Sequence, residues 1–171
     1  AIGDLNGEGR GDVAVANGSS NTVSVLLANG YGNGRLGWKT DYETGTLPVS
    51  VASGGLNGDG QADLVVANPG AKTVSVLLGN GYGTFGEKSD YWTGSYPWSV
   101  AIGDFNGDGR QDLAVAITDS NAVSVLLGNG DGTFGAKSNF GTGSRPRSVA
   151  IGDFNGDGRQ DLAVAITDSN A

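Results

Sequence analysis

Ser99-Val100-Ala101-Ile102-Gly103-Asp104-Phe105-Asn106-Gly107-Asp108-Gly109-Arg110-Gln111-Asp112-Leu113-Ala114-Val115-Ala116-Ile117 is the stretch that decides how this chain is read. A run of β-branched and aliphatic residues enters an Asn-Gly-Asp-Gly turn and a second such run leaves it, which is the pattern of a strand, a tight turn and a returning strand. Residues 99–122 recur unchanged as 148–171, and looser copies of the loop stand at Gly3-Asp4-Leu5-Asn6-Gly7-Glu8-Gly9 and Gly54-Gly55-Leu56-Asn57-Gly58-Asp59-Gly60. The loops open at residues 4, 55, 104 and 153, giving offsets of 51, 49 and 49. A fixed period near 50 residues marks a propeller, a solenoid or an array in which each repeat is one supersecondary unit.

Working outward from the loop, each repeat carries four strand-like runs. In the third repeat they are 99–103, 112–117, 122–127 and a run around 136–140, separated by Gly/Asn/Asp clusters. No apolar spacing of helical period persists for ten residues. The third run, at Val125-Leu126-Leu127, is apolar on both faces, as a strand packed between two neighbouring sheets would be. The expected fold is therefore all-β: propeller blades of four antiparallel strands, about three and a half repeats of ~50 residues. The boundaries fall at 1–48, 49–97, 98–146 and a half repeat at 147–171. A linear β-solenoid is the competing architecture, but its units are usually shorter. Because 147–171 carries only the first two strands, the chain is expected to be a fragment or to assemble with copies of itself. Its start at Ala1, without methionine, points to processing or to a longer parent.

Composition removes several functions. Among 171 residues there are 32 glycines, no cysteine and no histidine. That excludes disulfides, thiolate nucleophiles, a Ser-His-Asp triad and ordinary zinc sites, so any metal would be bound through oxygen. The net charge of −8 argues against nucleic acid as a partner. No apolar run is long enough for a membrane span.

The loop between the first two strands holds the candidate chemistry. Oxygen side chains stand at positions 1, 3, 5 and 9, with the backbone carbonyl of position 7 between them, and the glycines at positions 4 and 6 let the loop wrap inward. The full sets are Asp104, Asn106, Asp108, Arg110 (through its carbonyl) and Asp112, and Asp153, Asn155, Asp157, Arg159 and Asp161. Loop one offers Asp4, Asn6, Glu8, Arg10 and Asp12, with a longer carboxylate at position 5. Loop two has Gly55 at position 1 and keeps Asn57, Asp59 and Asp63, so a weakened or empty site is expected there. This donor set suits calcium, with magnesium second. A plain hairpin turn would explain the glycines. It would not explain why 11 of the 18 acidic residues sit in four loops. An EF-hand is excluded, because position 12 is Val15, Val66, Val115 or Val164 where a bidentate Glu is required.

With Ser99-Val100-Ala101, the Asp104–Asp112 loop, the strand after it and Phe134-Gly135 in view, the repeats resemble FG-GAP repeats. These are the calcium-bearing blades of integrin alpha-subunit propellers and of many bacterial secreted and surface proteins. The resemblance covers essentially the whole chain. It implies a β-propeller with calcium in the first hairpin of each blade, serving extracellular or cell-surface recognition or adhesion. The family's Gly-Ala-Pro after the second strand is absent; Ala116-Ile117-Thr118 stands there instead.

Aromatic residues gather where one repeat passes into the next. Tyr91, Trp92, Tyr96 and Trp98 correspond to Phe140, Gly141, Arg145 and Arg147 one repeat later, and to Tyr42, Glu43, Leu47 and Val49 one repeat earlier. Tyr42, Tyr91 and Phe140 are expected in the core. Trp92, Tyr96 and Trp98 suit either packing between blades or stacking on a ligand such as a glycan. Three function classes follow: a structural, adhesive or self-assembling surface module, a carbohydrate-binding propeller, and an ancillary domain of a secreted enzyme. No nucleophile–base pair appears, so the chain itself is expected to be non-catalytic. Its expected partners are a protein, a glycan, or further blades.

Overall fold

The computed structural model describes residues 1–30 and 34–168, so the last three residues of the half repeat at 147–171 lie outside it. The strands of the first blade are β1 (Ile2–Gly3), β2 (Asp12–Asn17), β3 (Thr22–Ala28) and β4 (Leu36–Glu43). The second blade holds β5 (Ser50–Gly54), β6 (Asp63–Asn68), β7 (Thr73–Leu77) and β8 (Ser89–Trp92). The third holds β9 (Pro97–Gly103), β10 (Asp112–Ile117), β11 (Ala122–Leu126) and β12 (Ser138–Gly141), and a last hairpin is made by β13 (Pro146–Gly152) and β14 (Asp161–Ile166). Each blade is an antiparallel sheet with its strands in chain order, and the last sheet has two strands. The strand-one elements β5, β9 and β13 lie against one another, which puts the first strand of each blade innermost. No helix among the described residues is long and apolar enough to cross a membrane.

The continuous apolar runs of the second and third blades exist because their inner strands are covered on both faces. All six residues of β6 and all six of β10 are buried. Within the second blade, Leu64, Val66 and Leu77 pack on the first blade's Val23 and Val25. Their neighbours in sequence, Val65, Ala67, Val74 and Val76, turn the other way onto Leu113, Val115 and Ile117 of the third. Alternation along β6 thus serves two interfaces, with no solvent face. Rings staple the outer parts: Tyr42 meets Phe85 edge-on at 5.4 Å, and Tyr91 meets Phe134 at 5.3 Å. Glycine is required where blades touch most closely. A β-carbon at Gly132, whose φ is +84°, would sit 2.8 Å from Leu78 Cδ2 of the preceding blade.

The expectation that Phe140 lies in the core fails at the end of the stack. Phe140 is 59% exposed and Leu127 44% exposed, although Tyr91 and Leu78 at the equivalent places are covered by the next blade. The described residues offer Phe140 no ring in the role of Phe85 or Phe134. The apolar face of the last hairpin, Leu162, Val164 and Ile166, is by contrast partly covered. Leu162 and Val164 pack on Val123 and Val125 of the third blade, and Ile166 lies against Gly143.

Candidate functional site

The loop at positions 1 to 5 is held by its own side chains. In loop three, Asp104 Oδ1 accepts the N–H of Gly107 at 2.7 Å and that of Asp108 at 3.2 Å, and its Oδ2 accepts from Gly109 at 2.9 Å. Asn106 Oδ1 accepts the same Asp108 N–H at 2.9 Å, and Asp108 Oδ1 accepts from Arg110 N–H at 2.9 Å. These bonds need Gly107 and Gly109 at φ +77° and +81°. Loop four repeats the set, with Asp157 N–H shared between Asp153 at 3.2 Å and Asn155 at 2.8 Å. In loop one, Glu8 N–H is shared by Asp4 at 3.1 Å and Asn6 at 3.2 Å, while the Glu8 carboxylate turns to Arg10 at 3.2 Å. Two oxygens within reach of one nitrogen are necessarily close to each other. The sequence-predicted donors at positions 1 and 3 therefore converge in loops one, three and four.

Electrostatics follow these donors. The N–H of Gly109 above all, with those of Gly107 and Asp108, holds the Asp104 carboxyl below its ordinary value, and Gly158 does the same for Asp153 and Gly9 for Asp4. Loop two lacks this acceptor. There, among the described residues, Asn57 and Asp59 bond to each other and to the N–H groups of Asp59 and Gln61.

Position 9 carries a structural role in the fold. Asp12, Asp63 and Asp112 are fully buried. Asp112 Oδ2 accepts the N–H of Phe105 at 3.0 Å, and its Oδ1 accepts that of Gly128, beyond the third strand, at 2.8 Å. Asp63 holds Leu56 and Gly79 in the same way, and Asp12 holds Leu5 and Ala28. Burial pushes the Asp63 carboxyl up, and nearby Asp59 adds to the rise. Asp161 makes only the first bond, to Phe154 at 3.1 Å. Among the described residues, no group of three or more His, Cys, Asp or Glu side chains gathers closely enough to hold a metal. In loops one, two and three the position 9 carboxylate is thus a latch between two backbone segments. Positions 1, 3 and 5 still present hard oxygens with unused lone pairs on an exposed turn, a donor set that fits calcium.

The aromatic residues of the second junction do not share a site. Trp98 is half-buried under the Arg147 guanidinium, 4.2 Å from its ring centroid. Tyr96 has a left-handed backbone (φ +60°), as do Leu47 (+59°) and Arg145 (+53°) at the equivalent positions, so its conformation belongs to the frame. Trp92, 63% exposed, lines a recess of about 280 Å³ with Gly94, Ser95, Asp119, Ser120, Lys137 and Asn139. Lys137 Nζ lies 4.2 Å over the Trp92 ring and donates to Thr93 O at 2.7 Å. Sequence reading missed the polar half of this recess. Its signal is one exchange: Lys39 and Lys88 each pair with an Asp two residues on, Asp41 and Asp90, where the third blade has Asn139.

The blades and loops agree with known proteins. A lectin of Agrocybe aegerita, described as specifically recognising non-reducing terminal N-acetylglucosamine, superimposes with a TM-score of 0.65 at 25% identity, over 95% of this chain and 45% of the lectin. BBS1N, solved in complex with ARL6DN, gives 0.63 at 13% identity over 96% of this chain and 50% of its own. The Photorhabdus luminescens Tc holotoxin pore gives 0.54 at 20% identity, over 96% of this chain and 8% of the toxin chain. The chain thus spans half or less of each. No curated protein matches it in sequence. The FG-GAP-like repeat pattern matches at residues 4–66, 55–115 and 104–164, in step with the blades. With three consecutive matches spanning most of its length, the chain belongs to the FG-GAP-like repeat family.

Proposed function

We propose that this chain is a calcium-binding β-propeller module of an extracellular or cell-surface protein, acting by recognition or assembly and not by catalysis. The observation that carries the calcium reading is the backbone N–H shared by the position 1 and position 3 side chains in loops one, three and four. It draws Asp104 toward Asn106, and Asp153 toward Asn155, before any ion arrives. Asp104, Asn106 and Asp108 would hold the ion in loop three, with the Arg110 carbonyl and water completing its shell. Asp153, Asn155, Asp157 and Arg159 would do so in loop four, and Asp4, Asn6, Glu8 and Arg10 in loop one. With the third carboxylate serving as a latch, affinity belongs with extracellular modules, about 10⁻⁴ to 10⁻³ M. A native-only ligand at a hundredfold excess over its dissociation constant stabilises by about 2.7 kcal/mol per site. Melting in EGTA and again in excess calcium tests this: the account expects a clear rise in Tm with calcium, and an unchanged Tm contradicts it. The open third-blade end would be covered by further blades, from the same polypeptide or a second copy.

A second reading, carbohydrate recognition, is favoured by the similarity to the Agrocybe aegerita lectin and by the exposed Trp92 ring. The two readings are compatible, since the loops and the aromatic recess use different residues.

A further inference from the structure

The junction of the second and third blades is where the chain departs from its own repeat so as to free polar groups. In the first two blades the lysine of strand four is tied down: Lys39 pairs with Asp41 and Lys88 with Asp90, and each aspartate also accepts from a strand-three serine, Ser24 or Ser75. In the third blade Asn139 keeps the serine contact, accepting from Ser124 at 2.7 Å, but carries no charge for Lys137. Lys137 swings to Thr93 O and the Trp92 ring, with ammonium protons to spare. Asp119, on the turn between β10 and β11, has no hydrogen-bond or ion-pair partner among the described residues. The equivalent of Trp92 is Glu43 in the first blade and Gly141 in the third, so the ring also occurs only here.

We infer that this recess is a binding site for a single neutral pyranose ring, seated against Trp92 with its hydroxyls shared among Lys137, Asn139 and Asp119. One positive and one negative group leave no net charge to select an ionic ligand. The lining supplies donors (Lys137 ammonium, Asn139 amide), an acceptor (Asp119 carboxylate) and two hydroxyls (Ser95, Ser120), which is what a ring of alternating donor–acceptor hydroxyls needs. With Lys137 over one face of the indole, the part of the ring left open gives the C–H face of the sugar an apolar wall. A volume of about 280 Å³, just below the usual range of ligand cavities, suits one ring rather than a chain. This inference rests on the carbohydrate reading above and places it.

The repeats themselves supply the test. Asn139→Asp restores the residue of the other two blades and recaptures Lys137; Trp92→Glu installs the first blade's residue. Neither should disturb folding, and an unchanged Tm verifies that. The probes are the methyl pyranosides of glucose, galactose, mannose and N-acetylglucosamine, followed by saturation-transfer NMR and titration. The expected result is binding of at least one of them to the parent chain, weakened tenfold or more in each variant. Binding that either variant leaves intact overturns this placement while leaving the carbohydrate reading standing. Binding of none of the four removes the carbohydrate reading, and the placement with it.

Discussion

Asp112 shows how one residue type at one spacing can serve two ends. Its carboxylate is buried and takes N–H groups from Phe105, seven residues back, and Gly128, sixteen residues on. Removing it strands two buried donors, each worth about 1–3 kcal/mol. Asp112→Ala is therefore expected to lower stability by about 3 kcal/mol or more in calcium-free urea denaturation. Asp108→Ala, on the exposed turn, is expected to cost under about 1 kcal/mol under the same conditions. Equal losses would contradict the latch. In the sequence Asp112 is indistinguishable from a ligand, since acid type and spacing are the same for both roles. The latch depends on N–H groups that the fold brings beside Asp112, which pairs with Gly103, and the residue letters do not show them.

At the scale of the element, each nine-residue hairpin loop is a small electrostatic device, and the four are unequal. Asp104, Asp153 and Asp4 have carboxyls held low by backbone N–H donors, so the stability they contribute is present above the ordinary carboxylate value and is lost as pH falls below it. Asp63, raised by burial, works the other way: its contribution is fully present at low pH and lost as pH rises through its folded value. Three loops outweigh one, so Tm in calcium-free buffer is expected to fall as pH drops from about 5 to about 3. The double variant Asp104→Asn, Asp153→Asn should fall less steeply over that range, and an identical slope would contradict the assignment. That loop two lacks the position 1 acceptor was legible, because Gly55 in place of an aspartate is a visible loss. The strands were legible too, because their apolar runs between glycine-rich turns have few other readings.

For the whole molecule, the period near 50 residues was enough to place four strands per blade, but not to say which surfaces stay open. Tyr42, Tyr91 and Phe140 look alike in sequence, yet each depends on a phenylalanine one blade further on, present as Phe85 and Phe134 and without a counterpart for Phe140 among the described residues. The open end therefore carries Phe140 and Leu127, with Val125, Leu162 and Phe105 beside them around a recess of about 390 Å³. Its opposite number on the first blade shows Val15, 43% exposed, where Val66 and Val115 are buried. Exposed apolar surface of this kind drives association. Sedimentation of these 171 residues in calcium is expected to show concentration-dependent association that Leu127→Ser, Phe140→Ser reduces. A sharp, stable monomer at high concentration would contradict it.

The central claim is that loops one, three and four are calcium sites built on positions 1, 3 and 5. Anomalous diffraction from crystals grown in calcium tests it most directly. The account predicts strong anomalous peaks beside Asp104–Asp108 and Asp153–Asp157, a weaker one at Asp4–Glu8 and none at Asn57–Asp59. Loops three and four without a peak, or loop two filled while they are empty, would contradict it.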